Sequence, residues 1–148
     1  MLKRIFVATD FSPHADAAWR FAVDLARVHG AVTVLLHVAL EGALREFSQR
    51  TQAEDEYLKR ITEDLALRTQ VADRAGVAVQ TALRAGDPAP VIADTAREDG
   101  ADIIVVGTHA QRFANLLVGS VAERLLRIAP CSVLVVKGYA AGLGTPAA

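Results

Sequence analysis

Five short runs of branched aliphatic residues, set between longer stretches with helical periodicity, constrain this chain more than any other feature. Residues 3–9 contain Ile5-Phe6-Val7-Ala8, residues 32–39 read Val-Thr-Val-Leu-Leu-His-Val-Ala, and a weaker run fills 77–83. Residues 102–106 and 132–136 complete the set. The runs are continuous rather than alternating, the pattern of strands covered on both faces, as in a parallel sheet flanked by helices.

Four helical segments separate the strands. The first follows Asp10-Phe11, where Ser12 suits the cap and Pro13 the first helical position, and it ends at Arg27 or Val28 before Gly30. Ala18, Phe21, Ala22, Leu25 and Ala26 recur at three- and four-residue spacing, giving one stripe to pack on a sheet. A second helix is predicted from Glu54 to Ala75, its charges forming a solvated face; a third opens at Asp87-Pro88 and stops at Gly100; a fourth follows Gly119-Ser120 and ends before Pro130. The resulting order, βαβαβαβαβ, calls for right-handed crossovers and an α/β three-layer sandwich, with ligands at the C-terminal sheet edge where the strand order reverses. Function is therefore expected in the turns after strands one, two and four.

At 148 residues, 52% hydrophobic and 22% charged, the chain has material for one core and one domain, expected over 1–138. The small-residue segment 139–148 reads as a flexible tail, and 40–53 as a loop or frayed helix start near the ligand edge. A net charge of −1 provides no field for nucleic acid. No run approaches the roughly 20 apolar residues of a membrane span, and the opening apolar run, closed by Asp10, does not read as a signal peptide. A single cysteine, Cys131, with no zinc spacing around it, fits a reducing, cytoplasmic setting. Beside Pro130 it reads as a packing residue.

Asp10, directly after the first strand, could accept hydrogen bonds from a ribose hydroxyl or an adenine amino group; the alternative is an Asx turn onto nearby backbone. Residues 107–120 join the fourth strand to the fourth helix with a glycine at each end. Free N–H groups at Ser120, Val121 and Ala122, with the positive end of the helix dipole, would bind phosphate oxygens. The competing explanation is a capping box, since Ser120 and Glu123 have its spacing. His14 and His109 could join Asp10 in metal or acid–base work, although solvent-facing loop histidines are the commoner outcome. His37, inside an apolar strand, reads as a hydrogen-bonded core residue rather than a ligand.

The segments Ile5 to Ser12, Leu35-Leu36-His37-Val38, Ala101 to His109, and Val118 to Glu123 continuing through Pro130 to Lys137 together resemble the universal stress protein family over about residues 2–137. The resemblance implies a five-stranded parallel sheet in the order 3-2-1-4-5, of the adenine-nucleotide alpha-hydrolase-like type, in cytoplasmic stress-response proteins that often form homodimers through their last strands. Some members bind ATP through a loop of Gly, two residues, Gly, nine residues, Gly, then Ser or Thr. Asp10 matches the family aspartate at the nucleotide, Val38 the position whose backbone meets adenine, Gly107 the first loop glycine, and Gly119 with Ser120 the phosphate pair. Val106 and Val121 are their neighbours, and Ala8 and His109 complete the candidate set.

Two departures stand out. Ala110 replaces the second glycine, and eight residues rather than nine separate it from Gly119. A methyl group at a position needing positive φ costs about 1–2 kcal/mol, and about 1.4 kcal/mol is tenfold in affinity. Arg112 could compensate with a charge toward a polyphosphate. The expected function is a stress-response module that binds ATP weakly, with or without Mg2+, and hydrolyses it slowly at most. The alternative is a nucleotide-free dimeric scaffold that acts through an unknown protein partner. A P-loop NTPase lacks its Gly-Lys-Ser/Thr loop, and a phosphoacceptor receiver domain would need a carboxylate where the third strand ends in Leu83-Arg84-Ala85-Gly86.

Overall fold

A computed structural model describes residues 1–39, 41–108 and 119–137. In chain order the elements are β1 (Arg4–Ala8), α1 (Pro13–His29), β2 (Val32–Ala39), a single 3-10 turn (Phe47–Gln49), α2 (Gln52–Arg74), β3 (Val79–Ala85), α3 (Pro88–Glu98), β4 (Ile103–Gly107), α4 (Ser120–Ile128) and β5 (Ser132–Val136). All strand pairs are parallel, and the sheet order is β3-β2-β1-β4-β5. Phe6 at the sheet centre pairs with Val34 on one side and Ile104 on the other. The order therefore reverses at β1, and the cleft this opens lies at the C-terminal ends of β1, β2 and β4.

Successive residues of each apolar run enter opposite cores. Ile5, Val7, Leu35 and Val105 pack beneath α1 and α2 with Ala18, Trp19, Ile61 and Leu65. Phe6, Val34, Leu36, Ile104 and Val106 pack beneath α3 and α4 with Ile92, Ala96, Ala122 and Leu125. Full burial of one such large side chain contributes about 1.5–3 kcal/mol, so the two cores tie the sheet to both helical layers.

Helix α1 starts and stops as expected: Ser12 Oγ accepts from Ala15 N at 3.2 Å, Pro13 leads, and Gly30 closes with φ 64°. Helix α2 begins two residues before the predicted Glu54, because Thr51 and Glu54 form a complete capping box. Strand β3 is displaced two residues from 77–83. The end of α2 claims Val77, whose N–H donates to Ala72 O at 2.9 Å across the Gly76 turn, so the ladder to β2 begins only after it. The capping box expected at Ser120 and Glu123 is not formed. Gly119 takes the cap position, no side chain caps α4, and Glu123 instead pairs with Arg127 at 3.0 Å. Among the described residues no helix is long and apolar enough to cross a membrane. The 139–148 tail lies outside the described residues.

Candidate functional site

A cavity of about 250 Å³ opens at the reversal point. Its floor is the strand ends: Ala8, Thr9 and Asp10 after β1, Leu36, His37 and Val38 in β2, and Val106 and Gly107 in β4. Its walls are three helix starts: Ser12, His14 and Ala15 of α1, Pro88 and Ile92 of α3, and Val121 and Ala122 of α4. Six of the residues singled out from sequence, Ala8, Asp10, Val38, Val106, Gly107 and Val121, thus converge on one cleft. Gly119 is buried at the α4 cap and Ser120 exposed at its first position, both beside Val121 rather than in the described lining. His109 and Ala110, like Arg112, lie outside the described residues.

Asp10 fulfils the Asx-turn expectation and still faces the cavity. Its Oδ1 accepts from Ser12 N at 2.9 Å, while Thr9 Oγ1 accepts from Phe11 N at 3.0 Å. These two bonds fold the β1–α1 junction so tightly that Phe11 adopts φ 63°, a left-handed conformation that a bulky side chain adopts only when its surroundings impose it. Gly107 is required for a different reason: a Cβ there would run into the backbone carbonyl of His14. Strand β4 and helix α1 therefore approach backbone to backbone at the cavity rim.

His37 is 8% exposed, and its Nδ1 lies 2.7 Å from Thr9 O. A carbonyl only accepts, so Nδ1 carries the proton and donates, and the buried Nε2 has no hydrogen-bond partner among the described residues. The ring stacks on Phe11 at a centroid distance of 4.5 Å. His37 is the hydrogen-bonded core residue expected, and it also belongs to the cavity lining, a place the sequence reading did not give it.

Among the described lining residues Asp10 supplies the only carboxylate, and there is no Lys or Arg. Positive potential comes instead from backbone. Helix α4 has no side-chain cap, and neither has α3, although Asp87 stands at its cap position. The Asp87 carboxylate is turned to Arg124 of α4, with contacts of 2.8 and 2.7 Å, and this pairing holds its carboxyl below the ordinary range. The start of α4, which no side chain caps among the described residues, thus borders the cavity with its first N–H groups, an arrangement suited to an anionic group; α3 opens Pro88-Ala89-Pro90 and retains only the Ala89 N–H. Among the described residues no cluster of three His, Cys, Asp or Glu side chains is placed to hold a metal ion.

His14 and Ala122, both singled out from sequence, also line the cavity. Thr9 and Ser12 adjoin Asp10 in sequence and could have been found from that proximity, whereas Pro88 and Ile92 could not, since only the folded sheet order carries α3 across the strand ends.

Residues 1–137 match the model of the universal stress protein family. Universal stress protein MJ0531 of Methanocaldococcus jannaschii is 31% identical over 148 residues, spanning 93% of this chain and 83% of the relative. Among solved structures, a universal stress protein from Lactobacillus plantarum superposes with a TM-score of 0.76 at 26% identity, covering 91% of this chain and 97% of that one. A universal stress protein solved in complex with cAMP gives 0.75 at 24% identity, covering 91% and 97%, a likeness of fold.

Proposed function

The chain belongs to the universal stress protein family, and on that footing we propose that its cleft binds an adenine nucleotide. The observation that carries this reading is the convergence of Asp10, Val38 and the uncapped start of α4 on one cavity. Leu36, Val38, Val106 and Ile92 offer apolar surface to a purine, with the β2 backbone at its edge. In this reading Asp10, in the cavity lining, accepts from ribose hydroxyls. The first turn of α4 receives the α-phosphate through backbone N–H groups.

At about 250 Å³ the described cavity lies just below the roughly 300–1,000 Å³ usual for small-molecule sites, which favours a mononucleotide over a triphosphate. The β- and γ-phosphates of ATP would extend toward 109–118, where Ala110 replaces a glycine and the spacing is one residue short. Weak ATP binding, with Mg2+ accompanying the phosphates, is therefore expected beside tighter AMP binding. The site's residues Ala8, Gly107, His109, Gly119, Ser120 and Val121 serve as walls and phosphate donors in this reading.

The test is calorimetric titration with AMP, ATP and ATP plus magnesium, run beside Asp10→Ala. Loss of a hydrogen bond involving a charged group costs about 1.5–3 kcal/mol, so affinity in the variant should fall tenfold or more. No saturable heat at millimolar nucleotide would favour the second reading, a nucleotide-free scaffold, which Ala110 and the shortened spacing support.

β5 stands at the end of the sheet order, and among the described residues no strand pairs with its outer edge. Pairing with a second copy would cover it, giving a homodimer in a cytoplasmic setting. Light scattering of the purified chain at micromolar concentration distinguishes dimer from monomer.

A further inference from the structure

Phe11 sits at the junction of three elements. Its backbone follows Asp10 in the cavity rim, its ring stacks on His37 of β2 at 4.5 Å, and the guanidinium carbon of Arg68 on α2 lies 4.8 Å from its ring centroid. Arg68 also donates to Phe11 O at 3.3 Å and holds Asp16 through bonds of 2.7 and 3.1 Å. Arg68 is itself anchored, since Trp19 Nε1 donates to its carbonyl at 2.9 Å. The left-handed φ of Phe11 would relax if its ring were released, and the Asp10 turn would relax with it.

We propose that Phe11 and Arg68 are positioning residues: the His37–Phe11–Arg68 contacts hold the Asp10 turn in its ligand-facing form and couple helix α2 to the cavity. Neither Phe11 nor Arg68 is in the described cavity lining, so both act through Asp10. The proposal rests on the nucleotide reading of the cavity for its ligand, but not for the coupling itself.

Two measurements on the full chain test it: AMP calorimetry, and hydrogen–deuterium exchange of the amides at 10–12. Arg68→Gln should speed exchange there about tenfold and weaken AMP about tenfold. Asp16→Asn removes the ion pair and leaves the guanidinium beside Phe11; it should stay within about threefold of wild type in both readouts. Phe11→Ala loses the ring while keeping the cost of a left-handed backbone, and should weaken AMP about tenfold, whereas Phe11→Tyr should bind as wild type does.

If Arg68→Gln matches Asp16→Asn in exchange, or binds AMP like wild type, the proposal is wrong. The same follows if Phe11→Ala binds like wild type. Should wild type give no AMP heat, exchange alone decides: faster exchange in Arg68→Gln than in Asp16→Asn sustains the coupling while the nucleotide reading falls. AMP binding with unchanged exchange gives the reverse.

Discussion

The backbone carbonyl of His14 occupies the space that a side chain at Gly107 would need. This contact fixes the distance between the end of β4 and the start of α1, the two elements that bring Gly107 and Asp10 to one rim. Gly107→Ala must push them apart. Overpacking of this kind costs about 1–3 kcal/mol, which urea denaturation would register as a lower midpoint with an unchanged slope. The same displacement should weaken AMP binding. An unaltered midpoint would mean that α1 shifts freely, and that the cavity rim is less rigid than the contact implies.

Asp102 performs a comparable task at the opposite end of the sheet. Its Oδ2 accepts from Lys3 N at 2.7 Å and Arg4 N at 2.9 Å, and these backbone bonds, Arg4 first, hold its carboxyl below the ordinary range. A depressed carboxylate stabilises the fold above its unfolded pKa of about 3.9, and the contribution fades as pH falls through the lower folded value. Wild type should therefore exceed Asp102→Asn in urea midpoint at pH 7 and 5, and the gap should begin to narrow below about pH 4 and shrink further as pH falls through the lower folded value. A gap of the same size at pH 5 and pH 2 would contradict a charge-based origin.

The fold was largely legible because continuous apolar runs and the pairs Ser12-Pro13 and Asp87-Pro88 report local physics that tertiary packing did not override. Three details were not. The Ser/Thr-x-x-Glu pattern occurs at Thr51–Glu54 and at Ser120–Glu123, but only the first becomes a box; at the second, Gly119 takes the cap and shifts Ser120 into the helix. Sequence spacing cannot distinguish a cap from a first helical residue when glycine precedes it. His37 escaped the candidate set because burial in a strand and exposure to a cavity are treated as exclusive, and at a strand's C-terminal end they are not. The α3 wall of the cavity depends on sheet order, which no local pattern contains.

Cys131, half-buried, directly precedes β5, and burial, followed by the nearby charge of Asp102, pushes its thiol above the ordinary range. Alkylation requires the thiolate. Cys131 in the folded chain should react several-fold more slowly with iodoacetamide at pH 7.5 than after unfolding in urea, and Asp102→Asn should narrow that difference. Equal rates before and after unfolding would show the thiol to be unprotected.

The two Ser/Thr-x-x-Glu segments provide an internal comparison that separates structure from function at Ser120. Thr51 Oγ1 accepts from Glu54 N at 3.2 Å, so Thr51→Ala should cost about 1 kcal/mol of stability, the usual effect of removing a cap. Ser120 caps nothing, and Ser120→Ala should leave the urea midpoint unchanged. If its hydroxyl joins the α4 N–H groups on a phosphate, the same variant should lose AMP affinity with no loss of fold. Stability lost at Ser120 on the scale of Thr51 would instead restore the capping role and remove the hydroxyl from the phosphate site.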